Sequence, residues 1–469
     1  MKTRLSETLV LANSSVLVAV LICCHFHATG QVFSTLYNFS AMDFSGYNND
    51  GAHPRAGVML FGNALYGTAE FGGTYGGGTV FAINADGSNF RTLYNFSGDI
   101  DGKNPIAGLI LSANTLYGTT EQGGNTGSGG VFAINTDGSG FTALYTFGQL
   151  ANESSPYAGL VLSGDTLFGT AFGGGSIPSS GAVFALNTNG IYFRNIYWWT
   201  DQNGGGPESL VLSNGILYGN SYGGVIYKLN TNGTGFTELH NFAYSDGDTL
   251  RGGLVLSCQT LYGIATYGGI FGNGTVFRVN TDGTSFANLY SFSATYSNSI
   301  SGWNTNSDGA NPYGGLALSC NTLYGTTSEG GNSGRGTVFS INTDGTGFKV
   351  LHTFTAFTPT NSDGGSPHGD LFLSDNTLYG TTSYGGDFGN GTIFSILLPA
   401  NPPQLTIARS GDDVILSWPQ QAEGFTLEST TDLASPNWTT NSVAPVVVNC
   451  QYTVTNSVSH QQQFFRLAQ

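Results

Sequence analysis

This chain has few charged residues, few cysteines and no sustained helical periodicity. Charged residues make up 9% of its 469 residues, whereas soluble proteins carry roughly 25%. Acidic residues outnumber basic ones by 29 to 13, which gives a net charge of -16. Because such a field repels phosphate backbones and anionic headgroups, we expect no nucleic-acid partner. The lack of apolar residues at helical spacing excludes a helical bundle.

Cysteine is too scarce to form a disulfide framework. Two of the five cysteines, Cys23 and Cys24, lie within the first 30 residues. Cys258 and Cys320 occupy the same place in two copies of one motif, Leu-Ser-Cys-x-Thr-Leu-Tyr-Gly. Equivalent positions of neighbouring repeats normally lie farther apart than the roughly 7 Å that a disulfide spans. We therefore expect no bridge between Cys258 and Cys320.

Long apolar runs are also missing, apart from one near the start. The run from Val16 to Cys24 follows Lys2 and Arg4 and precedes the small residues Ala28-Thr29-Gly30. This pattern predicts a secretory signal peptide over residues 1–30, too short to span a bilayer. We expect a secreted protein, extracellular or associated with the cell surface, with no membrane span. The mature chain would carry 11 basic and 28 acidic residues.

Glycine and aromatic residues are abundant, and they recur in a repeat. The chain has 71 glycines, and 13% of its residues are aromatic. A Leu-aromatic-Gly triplet appears at intervals of 44 to 62 residues, with its glycine at Gly67, Gly118, Gly169, Gly219, Gly263, Gly325 and Gly380. Repeats of about 50 residues are typical of four-stranded, kelch-like propeller blades.

Each repeat contains four short apolar runs in a fixed order, A to D. In the second repeat they cover residues 108–112, 115–120, 131–135 and 141–147. β-Branched and aromatic residues fill each run, and Asp-Gly or Asn-Gly separates C from D, as a tight hairpin requires. Each repeat therefore predicts one antiparallel sheet of four strands.

The two ends of the repeat region complement each other. The seventh repeat has runs A, B and C, then stops at Pro399, and its run D is missing. A matching segment, Val32 to Phe39, stands alone ahead of the first repeat. We therefore predict an all-β fold: a seven-bladed β-propeller over residues 31–399, closed by the N-terminal strand so that no sheet edge is left open.

These motifs resemble a known family. The segments Leu-Tyr-Gly-Thr-Thr, Gly-Gly and Gly-Thr-Val-Phe-x-Ile-Asn-Thr-Asp-Gly-Thr-Gly-Phe are similar to the GloVer tandem repeats of bacterial "choice-of-anchor" extracellular proteins. The resemblance covers the whole predicted propeller and implies export and extracellular or surface residence. It brings no established activity or catalytic residues. Members often end in a sorting anchor, and this chain shows no C-terminal apolar run with a basic tail.

The repeat ends before a second domain. Residues 400–403 contain Pro402-Pro403, which cannot continue a central strand, so we assign them to a linker. Residues 404–469 contain runs of alternating polarity, among them Asp413–Pro419 and Phe425–Ser429. Together with the Leu-Ser-Trp-Pro segment, they resemble a shortened fibronectin type III or immunoglobulin-like sandwich.

In a propeller, the D–A and B–C loops share the face around the central channel. Four D–A loops carry an aspartate shortly before a proline: Asp50, Asp101, Asp308 and Asp363. These aspartates could form a cation-binding ring or could cap their own turns. We favour capping. Because no Asp-x-Asp-x-Asp-Gly loop is present, we predict no cofactor, with calcium as the remaining weak possibility.

The residue after that proline, or after Leu250 in the fifth repeat, varies between repeats within a constant frame. The seven occupants are Arg55, Ile106, Tyr157, Glu208, Arg251, Tyr313 and His368. We predict that the polar and aromatic members bind a ligand, although ordinary drift of a loop position is the alternative. Trp303, in the enlarged D–A loop before repeat six, is a further candidate contact. Five aromatic residues before the B–C Gly-Gly pairs could stack on sugars or cover apolar surface: Phe71, Phe172, Tyr222, Tyr267 and Tyr384.

No catalytic motif is present. The sequence has no Gly-x-Ser-x-Gly, phosphate loop or His-Glu-x-x-His. His53 and His368 come together on ring closure but are too few to hold a metal alone. We therefore predict a monomeric, non-catalytic module that binds an extracellular glycan or protein at the channel rim. The alternatives are a carbohydrate-active hydrolase or lyase using the same face, and a structural component of the cell envelope.

Overall fold

The computed structural model describes residues 9–12, 17–20, 31–148, 155–173, 181–199, 205–297, 302–357, 360–399, 405–410, 413–419, 425–432, 437–448, 451–457 and 462–468. These residues form strands and turns without a helix, so none provides a helical membrane span. Contacts divide the chain into one unit of Gln31–Leu318 with Thr322–Leu398, and another of Met1–Gly30, Ser319–Asn321 and Pro399–Gln469. The predicted linker 400–403, Cys450 and most of the predicted signal peptide lie outside the described residues.

The first unit is all-β and propeller-like. Its described residues form seven antiparallel sheets whose strands lie side by side in the order A-B-C-D. Sheet 1 comprises Met59–Phe61, Ala64–Ala69, Thr79–Asn84 and Arg91–Asn95; sheet 2, Ile110–Ser112, Thr115–Thr120, Gly130–Asn135 and Thr142–Thr146; and sheet 3, Val161–Ser163, Thr166–Ala171, Ala182–Asn187 and Arg194–Trp198. Sheet 4 comprises Pro207–Ser213, Ile216–Ser221, Val225–Asn230 and Thr237–Asn241; and sheet 5, Val255–Ser257, Thr260–Ala265, Thr275–Asn280 and Ala287–Ser291. Sheet 6 comprises Ala317–Ser319, Thr322–Glu329, Thr337–Asn342 and Lys349–Thr353; and sheet 7, Phe372–Ser374, Thr377–Thr382, Thr392–Leu397 and Val32–Asn38.

Two further pairings lie beside sheet 6. Ala310–Pro312 pairs with strand B of that sheet. In the loop ahead of it, Tyr296–Ser297 pairs with Asn304–Thr305.

The last strand D comes from the N-terminal end of the unit. Val32–Asn38 runs antiparallel to Thr392–Leu397, with Ser34 opposite Ser395. Phe39 follows and is fully buried in a core that also contains Phe81 of sheet 1. The N-terminal strand thus completes sheet 7 and joins the packing between sheets 7 and 1.

A ring of aromatic stacks links each sheet to the next. The Tyr or His of each strand D lies parallel to a Phe of the following sheet, with ring centroids 3.6 to 4.5 Å apart. The pairs are Tyr37–Phe90, Tyr94–Phe141, Tyr145–Phe193, Tyr197–Phe236, His240–Phe286, Tyr290–Phe348 and His352–Phe33. The N-terminal strand supplies Phe33 to one pair and Tyr37 to another. Consequently, the series returns to its starting point.

The recurring Leu-aromatic-Gly triplet has a steric cause. Gly67 of strand B lies opposite Phe81 of strand C, and a Cβ at Gly67 would come within 2.5 Å of the Phe81 ring. The same approach occurs in the other repeats, for example between Gly118 and Phe132. Any larger residue would displace a buried ring, so the triplet must end in glycine.

The second unit has two sheets of its own. One contains Thr406–Ser410, Asp413–Pro419, Gln451–Ser457 and Val446–Val448, and the other contains Leu9–Ala12, Leu17–Val20, Gln462–Ala468, Thr426–Thr430 and Thr439–Thr440. Trp418 and Val454 of the first sheet share a core with Leu427 and Phe465 of the second.

Cys258 and Cys320, which occupy equivalent positions of two repeats, differ in oxidation state. Cys258 is disulfide-bonded, whereas Cys320 is a free thiol. They are therefore not joined to each other, as expected. The disulfide of Cys258 itself was not predicted from the sequence.

Ring closure makes Phe39 a sensitive position. We expect Phe39→Ala to lower the free energy of unfolding by about 3–5 kcal/mol, because it empties a buried aromatic site between the first and last sheets. The matched control is Phe44→Ala, since Phe44 is fully exposed; it should change stability by less than about 0.5 kcal/mol. Denaturant unfolding would measure both. Equal effects of the two substitutions would contradict the closure.

Tyr227 offers a stabilising substitution. It replaces the Phe of the other strands C, and its buried hydroxyl has no hydrogen-bond partner among the described residues. We expect Tyr227→Phe to stabilise the protein by about 1–2 kcal/mol because it removes an unsatisfied polar group. As a control, Tyr290→Phe should destabilise it, because the Tyr290 hydroxyl donates to Asp308 at 2.8 Å. A loss of stability in Tyr227→Phe would show that its hydroxyl is satisfied.

Candidate functional site

The seven variable residues after the D–A loops converge on one cavity. Its volume is about 270 Å³. Arg55, Ile106, Tyr157, Glu208, Arg251, Tyr313 and His368 all line it, together with the small residues that follow them. Six of these are the residues predicted to bind a ligand, so the structure brings all six together. Whether they bind one stays a prediction.

Loop pairing sets the positions of these side chains. The D–A loop residues Ala52, Lys103, Asp248 and Gly365 each form a bridge with the B–C loop of their own sheet. Three residues further on, the chain reaches the cavity wall, for example at Arg55 from Ala52. The same backbone arrangement therefore presents five different types of side chain at the seven cavity positions.

The D–A loop aspartates fix this frame. Asp50 accepts hydrogen bonds from the Tyr37 hydroxyl at 2.7 Å and from the backbone N–H of Ser40 at 2.9 Å. Asp101 and Asp308 have equivalent Tyr and Ser partners, and Asp363 faces His352 at 3.1 Å. The carboxylates thus connect the end of strand D to the loop. Their role is structural, but they cap residues of the preceding strand instead of their own turn.

The two cavity arginines are held differently. Arg55 Nε lies 2.8 Å from the carboxylate of buried Glu70, an ion pair without hydrogen-bond alignment. Arg251 donates from Nη1 to the Tyr313 hydroxyl oxygen at 2.6 Å. Its guanidinium also lies 4.9 Å and 5.2 Å from the ring centres of Tyr222 and Tyr313. Arg55 is therefore neutralised, whereas Arg251 is positioned by aromatic groups.

Glu208 is the most unusual residue of the cavity. It is only 8% exposed, and its carboxylate has no hydrogen bond or ion pair with the described residues. Burial raises the pKa of Glu208 to about 7, partly offset by the charge of Arg251. A buried, unpaired carboxyl group that titrates near neutrality is typical of functional sites.

Tyr157 and His368 complete the polar wall. The Tyr157 hydroxyl donates to Glu121 at 2.9 Å, and burial together with this bond raises the pKa of Tyr157 to about 12. His368 Nδ1 lies 2.8 Å from the carbonyl oxygen of Ser366. Burial and the nearby arginines lower the pKa of His368 to about 4, so the ring is neutral at pH 7.

Sequence reasoning missed Asp370. It lies two residues after His368, where other repeats have a glycine such as Gly253 or Gly315, and it lines the same cavity. Its carboxylate accepts a hydrogen bond from the Gly315 N–H at 2.5 Å. The Asp370 side chain is accessible from the cavity, but protein atoms surround it, and this burial raises its pKa. The replacement of glycine by aspartate at this position of the repeat is visible in the sequence and could have identified Asp370.

The rim aromatics are partly exposed and partly packed against neighbouring side chains. Phe71, Tyr222, Tyr267 and Tyr384 are 37% to 44% exposed, which leaves part of each ring free for a ligand. They also pack locally, since His53 contacts Phe71 and Tyr384 edge-on with centroids 5.8 Å and 4.9 Å apart.

Trp303 lies outside the cavity lining. Its ring faces the Arg335 guanidinium at 3.8 Å, and Phe357 faces the same guanidinium at 3.7 Å. The structure therefore does not bring Trp303 together with the other predicted residues. Its contact with a ligand stays a prediction.

The two histidines predicted to meet on closure do not form a metal centre. His53 Nδ1 lies 2.7 Å from the Ser383 carbonyl oxygen, and His53 is not part of the cavity lining. Within the described ranges, no group of three or more His, Cys, Asp or Glu residues is arranged to hold a metal ion.

Comparisons with solved structures find similarity at low sequence identity. It has 13% identity and a TM-score of 0.41 with the computationally designed Ika8 protein, covering 74% of this chain and 98% of that one. With an oligogalacturonate lyase in complex with manganese, identity is 11%, TM-score 0.47, and coverage 80% and 98%. With the oligogalacturonate lyase from Vibrio parahaemolyticus, the values are 10%, 0.46, and 80% and 99%. Similarity at this level carries no information about activity.

The sequence itself identifies a family. No curated protein matches it. The model of the Gloeobacter/Verrucomicrobia repeat matches residues 23–224 and 296–414, in agreement with the resemblance to the GloVer repeats. Because this match covers more than half of its residues, the chain belongs to the Gloeobacter/Verrucomicrobia repeat family.

Proposed function

We propose that this protein is a secreted, non-catalytic binding module that takes an extracellular glycan or protein group into the cavity at its channel mouth. The observation that carries the proposal is the convergence of all seven variable positions on one cavity. Its volume of about 270 Å³ lies near the lower end of ligand pockets, which suits one sugar ring or one side chain.

The architecture behind this proposal is a closed seven-bladed propeller over residues 31–399. The return of the aromatic stacks from sheet 7 to sheet 1 supports it. Residues 404–469 form a small sandwich of fibronectin type III or immunoglobulin-like type, supported by two sheets around the Trp418 core. The proposed signal peptide covers residues 1–30 and so includes Leu9–Ala12 and Leu17–Val20; without them, the second sheet of the sandwich keeps Gln462–Ala468, Thr426–Thr430 and Thr439–Thr440. The disulfide of Cys258 suits an oxidising compartment outside the cytoplasm.

A glycan is the ligand that the wall chemistry favours. Sugars carry many hydroxyl groups that both donate and accept hydrogen bonds. The cavity offers donors on Arg251, an acceptor or donor on Glu208, and the aromatic rings of Tyr157 and Tyr313. Exposed rim aromatics such as Tyr222 and Tyr384 could extend the contact to further sugar units by stacking.

A hydrolase or lyase is the second candidate, and Glu208 is the reason. A carboxyl group with a pKa of about 7 is suited to proton transfer near neutral pH. Asp370, with a raised pKa, lies in the same cavity beside neutral His368. Release of reducing sugar or of an unsaturated product, lost in Glu208→Gln, would favour this candidate over binding alone.

Arginine substitutions test the site. We expect Arg251→Ala to weaken binding of a glycan found on an array by about 10-fold to 100-fold, because it removes charged hydrogen bonds worth about 1.5–3 kcal/mol. Arg55→Ala should weaken binding less, because Arg55 is already paired with Glu70. Arg194→Ala, on an exposed outer strand, is the control. Full binding by the Arg55→Ala, Arg251→Ala double variant would exclude this site.

Glu208 should give stability an unusual pH dependence. Its folded pKa of about 7 lies above the ordinary value of 4.5. The folded chain therefore keeps a proton that the unfolded chain releases, and stability falls as pH rises from about 4.5 through 7. Glu208→Gln should raise the free energy of unfolding by about 1–3 kcal/mol at pH ~8 and leave it unchanged at pH ~4.

Chemical unfolding at several pH values measures this effect. The control is Glu329→Gln, because Glu329 is exposed and should show no such difference. Equal stability of wild type and Glu208→Gln at pH ~8 would contradict the raised pKa of Glu208.

A further inference from the structure

The cavity contains an arginine, Arg251, that has no carboxylate of the described residues within ion-pair distance. Arg55, by contrast, is neutralised by Glu70. Arg251 interacts through N–H groups with the hydroxyl groups of both Tyr313 and Tyr222, and its guanidinium carbon lies over both rings. Its remaining N–H groups are therefore available in a fixed orientation.

Two neighbouring groups extend this arrangement. The Tyr313 oxygen accepts from Arg251, so the hydroxyl proton of Tyr313 is free to be donated elsewhere. The Tyr313 ring also contacts His368 edge-on, with centroids 4.6 Å apart. His368 Nδ1 faces a carbonyl oxygen, which can only accept, so Nδ1 carries the ring proton and Nε2 is left as an acceptor.

We infer that the cavity takes a carboxylate-bearing saccharide residue, with its carboxylate on Arg251 and Tyr313 and an adjacent hydroxyl group donating to His368 Nε2. This assignment rests on the proposed binding function and names the ligand class of that site. A guanidinium presents two parallel N–H groups that match a planar carboxylate, and this geometry is stronger than a bond to a neutral hydroxyl. The strongly acidic chain makes such an unpaired cation selective, because the rest of the surface repels anions.

Glu208 fits an acidic ligand only in its neutral form. The groups that face it are Arg251 of sheet 5, Tyr157 of sheet 3 and Tyr313 of sheet 6. Arg55, His368 and Asp370 line the same cavity. Beside a bound carboxylate, Glu208 can donate a hydrogen bond while protonated and repels the ligand once ionised. Binding should therefore take up a proton, and affinity should fall as pH rises from about 6 to about 8.

The test is calorimetric titration of the full chain with matched sugars. The probes are oligosaccharides of glucuronic, galacturonic and mannuronic acid, each beside its carboxyl-reduced neutral counterpart. We expect at least one acid to bind about tenfold more tightly than its neutral counterpart. Arg251→Gln should abolish this difference, and Arg194→Ala should preserve it. Glu208→Gln should bind the acid with no change between pH ~6 and pH ~8. Thermal melting of each variant checks that it is folded.

The outcomes separate this inference from the proposed function. Equal binding of acid and neutral forms, or preference for a sulfated sugar over both, would overturn the carboxylate assignment while leaving a glycan site. Binding of an acid that is unaffected by Arg251→Gln would overturn the assignment of Arg251. Failure of every acid to bind would overturn the inference, and failure of a full glycan array as well would overturn the proposed glycan ligand.

Discussion

Parallel stacking between neighbouring sheets is the contact on which the repeat unit depends. Each strand D contributes one ring that lies flat against a Phe of the next sheet, and the N-terminal strand contributes to two of these pairs through Phe33 and Tyr37. If that strand were absent, sheet 7 would lose its outer edge and the series would end in two exposed surfaces. An open sheet edge is prone to aberrant pairing, so closure also protects the chain from aggregation.

The same stacked rings connect the sheets to the D–A loops that lead to the cavity. Tyr37 contacts Phe90 through its ring and Asp50 through its hydroxyl, so one side chain joins two sheets and a D–A loop. The loop then places Arg55 at the cavity wall. The residues that recur in every repeat hold the sheets and loops in place. The residues that differ between repeats are therefore the ones available to contact a ligand. Burial raises the pKa values of Glu208 and Asp370, and perturbed pKa values are typical of functional sites.

Sequence periodicity predicted the positions of the strands well because every repeat carries the same pattern of residues. Strand Thr115–Thr120 begins and ends where run B of the second repeat does, and the lone N-terminal segment pairs with the last sheet as predicted. The seven cavity positions were also predictable, since they occupy one place in a repeat. Asp370 could have been found by the same comparison, because it is the one acidic residue at a position that is glycine in five of the seven repeats.

Other features depend on contacts that no repeat pattern contains. The pairing of the Asp50 carboxylate with Tyr37 and Ser40 joins residues at least ten positions apart, so the aspartate resembled a local turn cap. Trp303 resembled a free rim residue, but it faces Arg335 from another loop. The raised pKa of Glu208 results from burial by several sheets together, which no single segment reveals.

The most direct test of the closed ring is a cross-link across its joint. Ser34 and Ser395 lie opposite each other in the pairing between the N-terminal strand and sheet 7. In the double variant Ser34→Cys, Ser395→Cys, oxidation should form an intramolecular disulfide, detected by mass spectrometry of the linked peptides, while Ser34→Cys with Ser340→Cys should form none. An absence of the first link in folded monomer, or its formation only between molecules, would contradict closure by the N-terminal strand.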